Sequence, residues 1–410
     1  MGIRLRGGAR VQGFWGLVGG GGGKMRELAQ HAKAYAKTHG IEAVFRSDLL
    51  QAGWRLSFHP AASDISVALE GGYVTLTART GAVGPGYHAF VVGFIDYLSE
   101  RGWVWDFDDA IRSFRDDSSY YANRDFPALQ ATFADAFAAV SRQMVASPED
   151  QGLFYVDIPL AVDIVADAFA ATSFGFRDRA FFETPDAPAF FPWWEEGVTG
   201  QTVRNMALSK MWLDVSWQVP LSALESRDLD ICAALIEHAR ALGAEVHNDE
   251  GAADIDALRG GEAPGSTGVG YWRQDYRFQG PGGWTVCLPA NYRQEVGEGS
   301  CSLTDGDRVI TLTGWAIDET PKLEWPTPPE DFDEDDRFNT VLYRAIVISG
   351  SEEREAGHVW GWQGIYQSLD ATATVTVGSI HEEDRAWAEA VFRTVQPEAY
   401  IGRSVVTVEL

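Results

Sequence analysis

The sequence predicts an α+β protein in which antiparallel sheets are flanked by helices. Three observations carry that expectation. Short stretches alternate apolar and polar residues and follow one another through tight turns, as in "DISVALEGGYVTLTART" over 64–80. Other stretches space their apolar residues at helical intervals, as do Leu129, Phe133, Phe137, Val140 and Met144. The two kinds do not alternate regularly along the chain, as a doubly wound parallel sheet would require.

Taken in order, residues 1–25 read as a flexible glycine-rich leader, with the native start at Met1 or at Met25. Leu28, Ala32, Tyr35 and Ala36 predict a helix over 26–39 that stops at Gly40. Alternation then predicts strands over 53–60, 64–72 and 73–80, with Gly71 and Gly72 turning the last two. A helix over 87–100, burying Phe90, Val91, Phe94, Ile95 and Leu98, follows within a first module at 26–122. A second module, 123–249, opens on a helix over 126–145 and reads "MWLDVSWQVP" (211–220) as a strand. Its helix over 224–242 is introduced by Ser222 and Glu225, the spacing of a capping box, and stopped by Gly243.

Between 250 and 270 aromatics disappear while Gly, Ala, Ser and Pro accumulate, so this stretch reads as a linker. The remainder, 271–410, predicts strands over 283–290, 299–316, 338–350, 358–366 and 371–380, then one helix over 382–395. That order of strands with a closing helix, and the opening "WTVCLPANY", resembles the PsbP/Mog1-like α+β fold. The resemblance covers about a third of the chain and implies a fold, with no catalytic residue carried across. A strand, a short turn and an amphipathic helix recur in all three regions. Duplication of one α+β module produces that plan, and so does any α+β domain.

Composition narrows the function classes. The chain has 410 residues, enough for two or three cores, and 59 acidic residues against 33 basic ones give a net charge of -26. Such a surface repels nucleic acid and anionic membranes and favours a basic protein partner. Cys232, Cys287 and Cys301 are odd in number and match no metal spacing, which suits a reducing cytoplasm. No run is long and apolar enough for a membrane helix, and the amino-terminal segment lacks a signal-peptide core.

Two glycine patterns raise nucleotide binding. "GLVGGGGGKM" aligns Gly23 and Lys24 with a phosphate loop, but Val18 replaces the first glycine and Met25 the magnesium-binding hydroxyl. "GPGYHA" places Gly84 and Gly86 after a strand and before a helix, with His88 in its first turn and Asp108 some twenty positions on. That is the order of a dinucleotide site, with pyrophosphate on the helix amides and the aspartate on ribose. Against it, the preceding strand alternates in polarity and follows tightly turned partners, which implies antiparallel pairing. A Gly-Pro-Gly chain reversal that starts a helix explains the same residues.

Elsewhere, Asp106 and Asp108 share one face of "WVWDFDD" and are candidates for carboxylate-dependent hydrolysis or for a solvated strand face. The eight histidines form no metal motif, and no nucleophile elbow occurs. Acidic density peaks over 318–336, where Asp331, Asp333, Glu334 and Asp335 lie in a run that cannot be a calcium loop, because Asp336 and Leu342 take its glycine and glutamate positions. This run reads either as a solvated insertion or as a docking surface. "FGFRDRAFFETPDAPAFFPWWEEG" crowds Phe190, Phe191, Trp193 and Trp194 into an irregular segment that either folds back on its own core or presents interface anchors. The expectation is a non-enzymatic cytoplasmic recognition protein without a cofactor. It would hold a basic partner, in the manner of an immunity protein, through those acidic and aromatic residues. The competing expectation is an enzyme, either dinucleotide-dependent or a hydrolase.

Overall fold

The computed structural model describes residues 4–11, 21–48, 53–70, 73–105, 115–148, 153–156, 158, 164–220, 223–262, 264–265, 268–305, 308–316, 333–339, 344–354, 357–368, 371–379, 384–397 and 406–408. The class is α+β, with mostly antiparallel sheets. The chain divides into two compact units. The first comprises Met1–Leu160, Ala168–Gly270 and Val405–Leu410, and the second Ala161–Asp167 and Tyr271–Ser404. Residues 26–122 and 123–249 thus share one unit.

The first unit opens with strand β1 (Arg4–Val11), helix α1 (Gly21–Thr38) and strands β2 (Val44–Asp48), β3 (Gly53–Ser57), β4 (Ile65–Glu70) and β5 (Tyr73–Arg79). Helix α2 (Pro85–Ser99) leads to β6 (Trp103–Trp105) and β7 (Arg115–Asp116). The strands form one sheet in the order β2-β3-β4-β5-β1-β6, with β7 also pairing β1, and every pair is antiparallel. The segment read as a flexible leader therefore contributes an interior strand. Its own alternation explains why: Leu5, Gly7 and Ala9 are buried while Arg4 and Arg6 face outward. Because β5 and β6 are both antiparallel to β1, they run parallel to each other, and α2 crosses between them over the intervening strand. Tyr35 of α1 locks the two helices together, donating its hydroxyl to Phe90 O at 3.1 Å and packing on Phe58, Phe90 and Phe94.

The same unit continues with α3 (Tyr120–Asn123), α4 (Phe126–Val145), β8 (Phe154–Val156), β9 (Ala170–Thr172) and β10 (Gly175–Arg177). The short helices α5 (Arg179–Glu183) and α6 (Ala187–Phe190) follow, then α7 (Gly200–Leu213), α8 (Ala223–Ala241) and α9 (Ala252–Arg259). The strand expected over 211–220 is instead the end of α7 and a loop. Met211, Leu213, Val215 and Trp217 are alternately buried as a strand's would be, but Trp217 takes φ 56° and donates its indole N–H to Met211 O at 3.0 Å. The stretch read as a linker holds α9, which buries Ile255 and Leu258 one helical turn apart.

The second unit contains β11 (Asp275–Gln279), β12 (Trp284–Pro289), β13 (Arg293–Gly297), β14 (Ser300–Thr304), β15 (Arg308–Ala316) and β16 (Asp333–Asn339). It continues with β17 (Arg344–Arg354), β18 (Gly357–Gln367), β19 (Ala371–Ser379), α10 (Arg385–Thr394) and β20 (Gln396–Pro397). A small sheet runs β11-β12-β20, and a large antiparallel one runs β13-β14-β15-β19-β18-β17-β16. Trp284, Leu312, Trp362, Tyr366, Val375 and Phe392 belong to a core between the large sheet's inner face, β12 and α10. The last strand, β21 (Val406–Val408), belongs to the first unit, where it pairs parallel with β8 in the sheet β10-β9-β8-β21.

Candidate functional site

The turn that raised dinucleotide binding is occupied by the chain itself. Gly84, at φ 117°, caps α2 in a backbone conformation that favours glycine. The Gly86 N–H donates to Trp193 O at 3.0 Å, and Val83 O accepts from the Trp193 N–H at 2.9 Å. A Cβ on Gly84 would lie 2.6 Å from Trp193 O, and one on Gly86 would overlap Glu195 O and the Trp193 ring. The space that a pyrophosphate needs over the helix amides is filled by residues 193–195. Glycine is required at both positions for this close approach, which corrects the dinucleotide reading of Gly84 and Gly86. Asp108, its ribose partner, and Asp106, the hydrolase candidate, lie outside the described residues.

The aromatic segment closes on its own core. Phe190, Phe191 and Trp193 are 4%, 1% and 0% exposed, so they cannot present a docking surface. Asp178 and Asp186 cap α5 and α6, turning the irregular segment so that its rings face α4. Phe190 stacks on Phe137 with ring centres 4.1 Å apart. Trp193 donates its indole N–H to Gly197 O at 2.8 Å, and half-buried Trp194 stacks on Phe191. Eight such rings in an irregular segment must lose water somewhere, and the nearest apolar partner was α4.

His88 is fully buried and ties three elements together. Its Nδ1 lies 2.8 Å from Thr80 Oγ1, and its Nε2 lies 3.0 Å from Ser118 Oγ and 3.2 Å from Asp116 Oδ1. Ser118 donates its hydroxyl proton to Asp116 Oδ1 at 2.7 Å, so Nε2 must carry the proton that Ser118 accepts. Asp116 also accepts the N–H groups of Ser118 and Tyr121. Burial pushes the Asp116 carboxyl up, but the hydrogen bond and charge of His88, the Ser118 hydroxyl and the Tyr121 N–H outweigh it and leave it at about 2. Histidine, serine and aspartate meet in this network, yet the imidazole has no exposed surface from which to reach a substrate. The network joins the start of α2 to β7 and the turn before α3.

A cleft of about 510 Å³ in the first unit gathers charges that no sequence motif announced. On its floor, buried Lys210 places Nζ 2.8 Å from both Asp214 Oδ2 and Asp228 Oδ1. Burial opposes the ammonium, but the two carboxylates more than offset this and raise its pKa. At the rim Arg227 pairs with Glu42 at 2.8 Å and Arg55 with Asp64 at 3.8 Å. His59 also lines the cleft; burial pushes its pKa down to about 3, and its Nδ1 accepts the Ala61 N–H. Burial pushes the nearby Cys232 thiol up to about 12. Lys210 stays an ammonium and Cys232 a thiol, so neither is an activated nucleophile. The Lys210–Asp214 spacing was one helical turn in the sequence, but the segment reads as a strand by alternation.

Asp333, Glu334 and Asp335 lie on β16, which among the described residues is an edge strand of the large sheet; it pairs with β17 and shifts register between Glu334 and Asp336. Part of the acidic run is thus strand. Asp331 lies outside the described residues.

The fold and these sites define an α+β protein of two units with a charged cleft and an acidic sheet edge. No protein-family model matches the chain, and no curated protein does. A solved structure from Bacteroides thetaiotaomicron VPI-5482 is similar at 12% identity over 30% of this chain, with a TM-score of 0.25. The match spans 47% of that chain's length. Among the described residues, no helix is long and apolar enough to cross a membrane.

Proposed function

We propose that this is a non-enzymatic cytoplasmic recognition protein that binds a basic protein partner, in an immunity-like or antitoxin-like role. The observation that carries the reading is the placement of Asp333, Glu334 and Asp335 on the edge strand β16, in a chain of net charge -26. An edge strand offers backbone groups to a partner strand, and its carboxylates draw a basic one in while repelling acidic chains. Phe190, Phe191 and Trp193 take no part in such a surface, because their rings are in the core. The PsbP/Mog1-like likeness of 271–410 stays a proposal for that region's fold, supported by an antiparallel sheet followed by α10.

Long-range attraction raises the association rate and is screened by salt, whereas short-range contacts set dissociation. Native mass spectrometry of the protein recovered from its host should show a basic protein bound in stoichiometric ratio. Neutralising the edge with Asp333→Asn, Glu334→Gln and Asp335→Asn should slow its association by roughly tenfold at low salt and flatten the salt dependence. Association indifferent to salt and to these substitutions would remove the acidic edge from the function.

A further inference from the structure

We infer that the outer face of the large sheet, formed by β14, β15, β19 and β18, is a binding surface for a neutral polysaccharide. The strand registers place its outward side chains in rows. One row runs Ser302, Thr311, Thr376 and Gln363 across the four strands, and the next runs Ser300, Thr313, Thr374 and Ile365. Trp315, Thr372 and Gln367 align beyond them, while at the other end Gly378 and Gly361 stand side by side next to Val309, which is 42% exposed. With strands about 4.8 Å apart and outward residues about 7 Å apart along each, the grid measures roughly 14 by 20 Å.

None of these outward positions carries a charge. Ordinary protein surfaces carry roughly 25–35% charged residues, and this chain, at net -26, is unusually acidic, so an uncharged face of this size is selective. The first charges come on the strands to either side, Arg293 and Glu295 on β13 and Arg344 opposite Gln367 on β17, where they rim the face. A ligand lying flat on the grid must strip water from what it covers, which is costly over charges and cheap over hydroxyls that can exchange one hydrogen bond for another.

Hydroxyls and amides are both donors and acceptors, as the 3.2 Å contact between Ser302 and Thr311 and the 3.3 Å bond from Gln363 to Thr376 illustrate. That is the functionality of a sugar hydroxyl. Trp315, 52% exposed, adds an apolar plane against which the C–H face of a sugar ring stacks. A charge-free, hydroxyl-dense face with one open tryptophan is complementary to an uncharged polyhydroxylated chain and poorly complementary to an acidic or basic one.

Affinity electrophoresis of the full chain in native gels containing mixed-linkage β-glucan, xyloglucan or amylopectin tests this, with polygalacturonate as the charged counterpart. Retardation by at least one neutral polysaccharide and none by polygalacturonate is expected. Trp315→Ala should weaken it roughly tenfold. Thr374→Lys, which puts a charge at the centre of the grid, should abolish it with the near-ultraviolet circular dichroism unchanged. Absence of retardation by all three neutral polysaccharides would overturn the proposal, as would retardation that survives both substitutions. A dimer in sedimentation that Thr374→Lys splits, without glycan binding, would assign the face to a second copy and overturn it too.

Discussion

Replacing Asp116 by Asn probes the network that holds the start of α2. The carboxylate is 4% exposed and accepts hydrogen bonds from the Ser118 N–H, the Ser118 hydroxyl and the Tyr121 N–H, beside the His88 imidazole. In the folded protein its pKa lies at about 2, below the ordinary 3.8, so the folded state binds this proton less readily than the unfolded chain. The stabilisation is therefore complete above the ordinary value and is lost as pH falls from there towards the folded one. A shift of that size is worth about 2 kcal/mol. Asn removes the charge and turns an NH₂ group toward at least one buried donor, which adds about 1–3 kcal/mol for the hydrogen bond left unmade. Urea unfolding followed by tryptophan fluorescence should show a loss of about 3–5 kcal/mol near neutral pH. The gap between variant and wild type should shrink at about pH 3 and below, because the wild-type carboxylate is then giving up its advantage. A loss under about 0.5 kcal/mol at neutral pH, or a gap of constant size across that range, would refute the network's role.

Gly86→Ala should destabilise by about 1–3 kcal/mol or more, because its methyl group displaces Trp193 and the Glu195 carbonyl. Differential scanning calorimetry measures this, and an unchanged midpoint would mean that segment 193–195 does not pack on α2 in solution. Lys210→Met leaves Asp214 and Asp228 without their shared ammonium. Their side chains are 37% and 24% exposed and regain some hydration, so the expected loss is about 1–2 kcal/mol rather than the roughly 3–5 of a fully buried pair. Denaturant titration at neutral pH reads it, and a stabilised variant would show that the pair is not formed.

Much of the local structure was legible because its signals are local. The helix over 126–145 and the three-strand meander before α2 follow from apolar periods of 3.6 and 2 that a short window displays. The leader and the linker were misread for a common reason. Both are rich in Gly or Ala, and composition hid the apolar positions that β1 and α9 bury, Leu5 and Ala9 in one and Ile255 and Leu258 in the other. The alternation over 211–217 is present in the burial, but a helix end followed by a turn at Trp217 produces it as well as a strand does.

The sequence by itself determined the α+β class, the acidic charge and the sharp turn at Gly84, since each depends on composition or on a few adjacent residues. Tertiary structure decided what those residues face. Whether Trp193 meets a partner or Gly86 depends on contacts made across about a hundred positions of chain, and apolar rings are driven out of water by either outcome. The cleft of Lys210 and the uncharged sheet face arise in the same way. Their members come from separate helices and strands, and only pairing register and helix packing bring them into one place.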